Sequence, residues 1–116
     1  MTASSEGLNA PVDSRFGRAP FMVFIDSETG EAESRPNLAA TAGHGAGTQA
    51  AQAVSRGGAE VLLTANCGPK AFELLRAAEV EVFSIVGGTV SEAYEAWKND
   101  SLTRLENANA ASGWSG

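Results

Sequence analysis

The hydrophobic residues of this 116-residue chain occur in short runs separated by glycine-containing turns. The continuous run 21–25 is typical of a strand that is covered on both faces, and the runs 61–63 and 80–86 predict two more buried strands. Apolar residues at helical spacing predict three helices, over 47–54, 71–78 and 89–97. Thr89 and Glu92 have the spacing of a capping box at the start of the last helix.

The order of these elements predicts the fold class. A short first strand is followed by a loop over 8–20, and then by an antiparallel hairpin of 21–25 and 31–35 around the turn 26–30. The alternating strands and helices that follow require a parallel sheet with right-handed crossovers. We therefore expect a five-stranded α/β sheet with helices on both faces. It forms a single domain over residues 1–106, and residues 107–116 form a disordered tail.

Composition and charge exclude several functional classes. One cysteine cannot form an internal disulfide, and one cysteine with one histidine cannot build a four-ligand zinc site. Eight Lys and Arg against fourteen Asp and Glu give a net charge of −6, which disfavours general binding to nucleic acid. No run of apolar residues is long enough to cross a membrane and no signal peptide is evident, so we expect a cytoplasmic protein.

Small, glycine-containing segments are predicted at the carboxyl ends of the strands, where open α/β sheets bind ligands. These segments are 4–7, 65–68 and 86–89, and the loop 43–47 leads into a helix start at the same rim. Amides at helix starts bind anions, and glycine lets a bulky ligand approach the backbone. The convergence of these segments predicts an anion site within an acidic protein.

Five side chains carry candidate chemistry, and each has a plainer reading. Arg15 and Arg18 could clamp an anion, or could belong to a solvated loop. His44 could ligate a metal, or could be a surface histidine. Cys67 could be a thiolate whose pKa is lowered by a helix start and by Lys70, or a small, half-buried residue at a strand end.

Several motifs resemble one known family in their order and spacing between about residues 4 and 105. They are Ser4-Ser5-Glu6-Gly7, Pro11-Val12-Asp13-Ser14-Arg15-Phe16-Gly17-Arg18-Ala19-Pro20, Asp26-Ser27-Glu28-Thr29-Gly30, Gly43-His44-Gly45-Ala46-Gly47 and Gly68-Pro69-Lys70-Ala71-Phe72. They are similar to the dinitrogenase iron–molybdenum cofactor biosynthesis family, which includes NifX and the C-terminal domain of NifB. Small stand-alone members, one of which carries a molybdenum–copper sulfide cluster, resemble the chain most.

The resemblance implies a ribonuclease H-like, three-layer fold with a mixed sheet of strand order 3-2-1-4-5, in which hairpin strand 2 is antiparallel. It also implies non-catalytic binding of a molybdenum–copper sulfide or iron–molybdenum-type cluster, held largely without covalent bonds. A protein partner would receive the cluster or be regulated by it. Together with the residue-level reasoning, it gives a set of expected cofactor-binding residues: Arg15, Arg18, Gly43, His44, Gly45, Gly47, Asn66, Gly68 and Lys70. The expected metal ligands are His44 and Cys67, because soft metals favour such donors.

Two alternatives to a cluster carrier or assembly scaffold remain at this point. The chain could be an interaction or regulatory module that works without a cofactor. It could also be an enzyme, either a nuclease by analogy with the fold or a thiol enzyme using Cys67. The absence of paired acidic residues on adjacent predicted strands disfavours a nuclease, and fold alone is weak evidence for function.

Overall fold

The computed structural model describes residues 1–43 and 45–108. This part of the chain is a mixed α/β domain with three α-helices, one 3-10 helix and two small sheets. The strands are β1 (Thr2–Ala3), β2 (Phe21–Ile25), β3 (Ala32–Pro36), β4 (Val61–Thr64), β5 (Glu81–Ser84) and β6 (Thr103–Arg104). The helices are the 3-10 helix (Leu38–Thr41), α1 (Ala46–Arg56), α2 (Pro69–Ala77) and α3 (Val90–Lys98). No helix in these residues is long and apolar enough to cross a membrane.

The hairpin and the parallel pair form as the hydrophobic pattern predicts. β2 pairs antiparallel with β3 along its full length, and its other edge pairs antiparallel with β1. β4 pairs parallel with β5, because the α2 crossover returns the chain to the end of the sheet at which β4 began. The sheet orders are β1-β2-β3 and β4-β5-β6.

The predicted single sheet with order 3-2-1-4-5 is not confirmed, because β1 has only two residues and does not join β4 in the described structure. The edge of β1 that faces away from β2 pairs with the following loop instead, through the bridge between Ala3 and Val12. The Asp13 amide donates to the Thr2 carbonyl across this bridge at 3.0 Å. The same loop then reaches the start of α3, where the Val12 amide donates to the Gly88 carbonyl at 2.9 Å.

Alternating side chains place helices on both faces of the sheets, as predicted. Leu62 packs in a core cluster with α1 and α2, whereas its neighbour Leu63 packs in a second cluster with α3. This alternation follows from the two-residue period of a strand. The small residues that α1 buries, Ala46, Ala50, Ala51 and Val54, let it pack closely against α2.

The helix boundaries agree with the local signals in the sequence. α2 begins at Pro69, the position at which a missing amide costs nothing. The capping box of α3 forms in full, since the Thr89 hydroxyl accepts from the Glu92 amide and the Glu92 carboxylate accepts from the Thr89 amide. α1 begins at Ala46, one residue before the predicted range 47–54, and ends at Arg56, with Gly57 as its C-cap.

Two elements were not predicted. The 3-10 helix forms because Asn37 caps it, with its side-chain oxygen accepting from the Ala39 amide at 3.3 Å. β6 adds an antiparallel edge to β5 after α3. Of the predicted tail 107–116, residues 109–116 lie outside the described residues, and Ala108 packs against the first core cluster.

We expect Asn37→Ala to lower the free energy of unfolding by about 2–4 kcal/mol. The buried Asn37 amide nitrogen donates to the Phe16 and Ala19 carbonyls at 3.3 and 2.9 Å, and the substitution removes both bonds together with the helix cap. Urea unfolding measures the change. Asn99→Ala, at an exposed position, is the control and should stay within about 0.5 kcal/mol of the parent chain. Equal losses in the two variants would contradict the proposed anchoring role of Asn37.

Candidate functional site

The loop over residues 10–19 is the structural centre of the candidate site. Its start is held to the beginning of α3, since the Val90 amide donates to the Ala10 carbonyl at 2.9 Å. Its end turns tightly, with the Arg18 and Ala19 amides donating to the Arg15 carbonyl at 3.1 and 2.7 Å. Phe16 is fully buried in the core beneath this turn. The apolar anchor and the backbone bonds together fix the arginine-bearing part of the loop.

Asp13 and Arg15 form a bidentate pair in the middle of this loop. The Asp13 carboxylate oxygens accept from Nε and Nη2 of Arg15 at 3.1 and 2.9 Å, and one of them also accepts from the Arg15 amide at 2.9 Å. Asp13 is buried, whereas 57% of the Arg15 side chain is exposed. The Arg15 hydrogen bonds hold the pKa of the Asp13 carboxyl below its usual value, against the opposing effect of burial. The pair therefore holds the Arg15 guanidinium at the protein surface.

Arg18 lies under the loop that leads to α1. Its guanidinium donates to the carbonyls of Ala40 at 3.3 Å, Ala42 at a shorter distance and Gly43 at 3.4 Å. These carbonyls lie at and just beyond the end of the 3-10 helix, where a cation is favoured. Arg18 is thus near the predicted glycine loop, and it holds that loop in place through its own hydrogen bonds.

Asn66 connects the predicted segment 65–68 to loop 10–19. Its amide nitrogen donates to the Ser14 carbonyl at 3.0 Å, while the Thr64 hydroxyl donates to the Asn66 carbonyl at 2.9 Å. Gly68 then caps α2, and Lys70 is exposed in the first turn of that helix. The structure therefore brings the Asn66 segment against the backbone next to Arg15.

The glycine loop before α1 has open space beside it. A Cβ atom built on Gly43 or on Gly45 would meet no atom within 4 Å. Gly45 has a φ of 73°, which favours glycine, and Gly47 lies half-buried in the first turn of α1. The predicted ligand His44 lies outside the described residues.

The environment of Cys67 opposes the thiolate reading and is closer to the plainer one, a small residue at a strand end. Its side chain has no exposed surface and packs in the core cluster of α1 and α2, with Sγ donating to the Gly68 carbonyl at 3.8 Å. Burial raises the pKa of the thiol to about 11, so the predicted lowering by the helix start and Lys70 is wrong. A ligand arriving from solvent does not reach Sγ in this conformation.

Four predicted residues thus meet around loop 10–19, namely Arg15, Arg18, Gly43 and Asn66. The segment 4–7 behaves differently: the Ser4 amide bonds the Pro11 carbonyl, but the Gly7 amide donates to the Ser34 hydroxyl on β3. In residues 1–43 and 45–108, no group of three His, Cys, Asp or Glu side chains is placed to hold a metal ion. The donors gathered here are guanidinium and amide groups, which bind anions.

Sequence reasoning missed Asp13 and Asn37, which position the site. Asp13 lies two residues before Arg15, and a carboxylate at that distance within a loop is a signal for the bidentate bond that forms. Asn37 lies directly after Pro36 and before the small residues of the 3-10 helix, which is a typical capping context.

We expect Asp13→Asn to destabilise the protein in a pH-dependent way. The pKa of Asp13 is lower in the folded chain than its ordinary value of 3.8, so its stabilising effect is present above pH 3.8 and is lost as the pH falls through the folded pKa. Urea midpoints of both chains should therefore differ at pH 7 and converge on acidification. A difference that stays constant down to pH 2.5 would contradict this role of the ion pair.

Comparison with known proteins agrees with this architecture. The apo form of the orange protein from Desulfovibrio gigas is similar at a TM-score of 0.89 with 40% identity, covering 94% of this chain and 92% of that chain. A putative NifB protein from Thermotoga, of the DUF35 family, is similar at a TM-score of 0.80 with 36% identity, covering 93% and 92%. An uncharacterized protein from Methanocaldococcus jannaschii is 24% identical over 101 residues, which are 84% of this chain and 86% of that protein.

The family described as Dinitrogenase iron-molybdenum cofactor matches residues 1–100. This range contains β1 to β5, all three α-helices and every described residue of the candidate site. The resemblance seen in the motifs is therefore confirmed, and the chain belongs to the dinitrogenase iron–molybdenum cofactor family.

Proposed function

We propose that this chain binds an anionic metal–sulfide cluster at loop 10–19 and acts, without catalysis, as a carrier or assembly scaffold. The proposed cargo is a molybdenum-containing cluster of the molybdenum–copper or iron–molybdenum type. A protein partner would deliver the cluster or receive it. The observation that carries this proposal is that the exposed Arg15 lies on loop 10–19, to which Asn66 and the open Gly43 loop are both hydrogen-bonded.

The donor chemistry supports a large, soft anion. The exposed Arg15 guanidinium provides a local positive charge on a chain whose net charge is −6. The bond to Asp13 fixes the position of this guanidinium before a ligand arrives. Preorganised donors lose less conformational freedom when they bind. A Cβ atom built on Gly43 or Gly45 would meet no atom within 4 Å, which leaves room for a bulky ligand to approach the backbone. α1 begins directly after Gly45, so its first amides adjoin this loop.

Family membership supports the same class of cargo, since the family takes its name from the iron–molybdenum cofactor of dinitrogenase. The similar orange protein structure is of the apo form of that protein. We assign Arg15 to direct contact with the cargo. We assign Arg18 to holding the Gly43 loop, because its guanidinium bonds three backbone carbonyls.

Reconstitution tests the proposal directly. Adding tetrathiomolybdate and a copper(I) salt to the purified chain without air should give charge-transfer absorption that elutes with the protein, with molybdenum bound in a fixed ratio. Tetrathiomolybdate with iron(II) tests the other cluster type. Elution of all metal apart from the protein in both cases would reject cluster binding. If the metal-free chain then still captured its partner, that result would favour a module that works without a cofactor.

We expect Arg15→Ala to weaken retention of the reconstituted cluster by about three- to tenfold, because it removes a charge-assisted donor. The difference from the parent chain should shrink as salt rises, since exposed charges are screened. Arg35→Ala is the matched control. Arg35 makes the same bidentate bond to a carboxylate two residues earlier, Glu33, but lies on β3 away from the site. Equal retention in the two folded variants would contradict the role of Arg15.

A further inference from the structure

The hairpin ends the first sheet with an edge that no other strand of the described residues covers. β3 pairs with β2 on one side, and its five residues lie largely exposed. Their register against β2 runs from Ala32 to Pro36 without a bulge. Proteins commonly protect an edge with a bulge or with a proline inside the strand, because a regular edge can pair with another chain. β3 has its proline only at its last position.

The bonding pattern of the hairpin determines which backbone groups of β3 point outward. The Asp26 amide donates to the Glu31 carbonyl at 2.9 Å, and hydrogen-bonded positions alternate along an antiparallel pair. Ala32, Ser34 and Pro36 therefore direct their backbone groups away from β2, whereas the residues between them bond β2. The outer edge thus offers two amides and three carbonyls, since a proline has no amide.

The charged side chains of β3 form a pattern that is complementary to itself. Glu33 and Arg35 lie on either side of Ser34 and on one face of the strand, where they form an exposed ion pair at 2.9 Å. In a second β3 laid antiparallel with Ser34 opposite Ser34, each Glu33 lies opposite the Arg35 of the other copy. Moving this register by two residues would place Glu33 opposite Glu33 or Arg35 opposite Arg35, and like charges in such positions are destabilising.

The same register suits the backbone. Ser34 would exchange two bonds with the Ser34 of the other copy, and each Ala32 amide would donate to the Pro36 carbonyl opposite it. The missing amide of Pro36 falls at the end of this ladder, so no bond within the ladder is lost. The two charged pairs fall at non-hydrogen-bonded positions, where opposite side chains approach each other most closely.

Two contacts within the chain hold β3 side chains without using the outer edge of its backbone. The Arg35 guanidinium lies over the Phe24 ring on β2, at 4.3 Å from its centre. On the opposite face of the strand, the Ser34 hydroxyl accepts from the Gly7 amide at 2.9 Å. Both contacts keep the side chains of β3 in place, and neither occupies the outward amides and carbonyls.

We propose that two copies of this chain pair through β3, antiparallel and with Ser34 opposite Ser34. The pairing joins two three-stranded sheets into one continuous sheet. Its two-fold symmetry makes the contact isologous, so it closes after two copies and does not continue into a filament. This inference does not rest on the proposed cluster binding, because it uses none of the residues assigned to the cargo.

Charge reversals test the register by sedimentation of the full chain. The contact is smaller than a standard interface, so we expect weak association, measured at chain concentrations up to about 1 mM. Glu33→Arg and Arg35→Glu each place like charges opposite each other and should weaken self-association at least tenfold. A mixture of the two variants restores both charged pairs and should associate as tightly as the parent chain. A parent chain that stays monomeric, or a mixture no tighter than each variant alone, would overturn the proposal.

Matched controls come from the other sheet, where Glu81 and Arg104 form an exposed ion pair at 3.2 Å. Glu81→Arg and Arg104→Glu change the net charge of the chain in the same way as the β3 variants. They should leave self-association within about twofold of the parent value, because exposed ion pairs contribute little. Urea unfolding establishes that every compared variant is folded. Losses equal to those of the β3 variants would indicate a general effect of net charge and would overturn the proposal.

Amide NMR shifts of the parent chain locate the contact without any substitution. Dilution should move the amide shifts of Ala32 and Ser34, since these groups lose their bonds to the second copy. The amides of Glu33 and Arg35 bond β2 in both states and should move less. Shifts that move elsewhere in the chain while those of Ala32 and Ser34 stay constant would contradict pairing through β3.

Discussion

The candidate site depends on the anchoring of one irregular loop. Residues 10–19 have neither helical nor extensive strand bonding, so other parts of the chain must satisfy their backbone groups. Asn37 does this from inside, by donating to two of the loop's carbonyls, and Asn66 does it from the side. Without these amides, the Asp13–Arg15 pair would have no fixed position from which to present a charge. The polar side chains under the loop therefore matter as much as the arginine that reaches the surface.

Much of the fold could be predicted from the sequence because it rests on periodic patterns. The run 21–25, the turn before β3 and the capping box at Thr89 are local signals, and each forms as expected. β6 has two residues and the 3-10 helix four, which is too short for a period to be recognised. The joining of the strands into one sheet could not be predicted from pattern alone, since it depends on which edge the two-residue β1 offers to its neighbours.

The site was partly predictable for a related reason. Arg15, Gly43 and Asn66 were expected near one rim from the alternation of strands and helices, and the structure bonds Gly43 and Asn66 to the loop that carries Arg15. Their actual contacts depend on bonds between distant residues, such as that from Asn66 to Ser14 across 52 positions, which no local signal encodes. The environment of Cys67 was misjudged because a helix start lowers a thiol pKa only where the thiol is solvated. Here α1 and α2 close over the sulfur.

The three α-helices differ in whether side chains bond the free backbone amides of their first turns. Glu92 bonds the amide of Thr89, so the beginning of α3 already carries a carboxylate from its own chain. α1 and α2 have no acidic residue in the first turn and no side-chain cap. The positive end of α3 is thereby partly neutralised by its own chain, whereas those of α1 and α2 are not. An incoming anion would therefore be attracted less to the start of α3 than to the start of α1, which follows the glycine loop, or to that of α2.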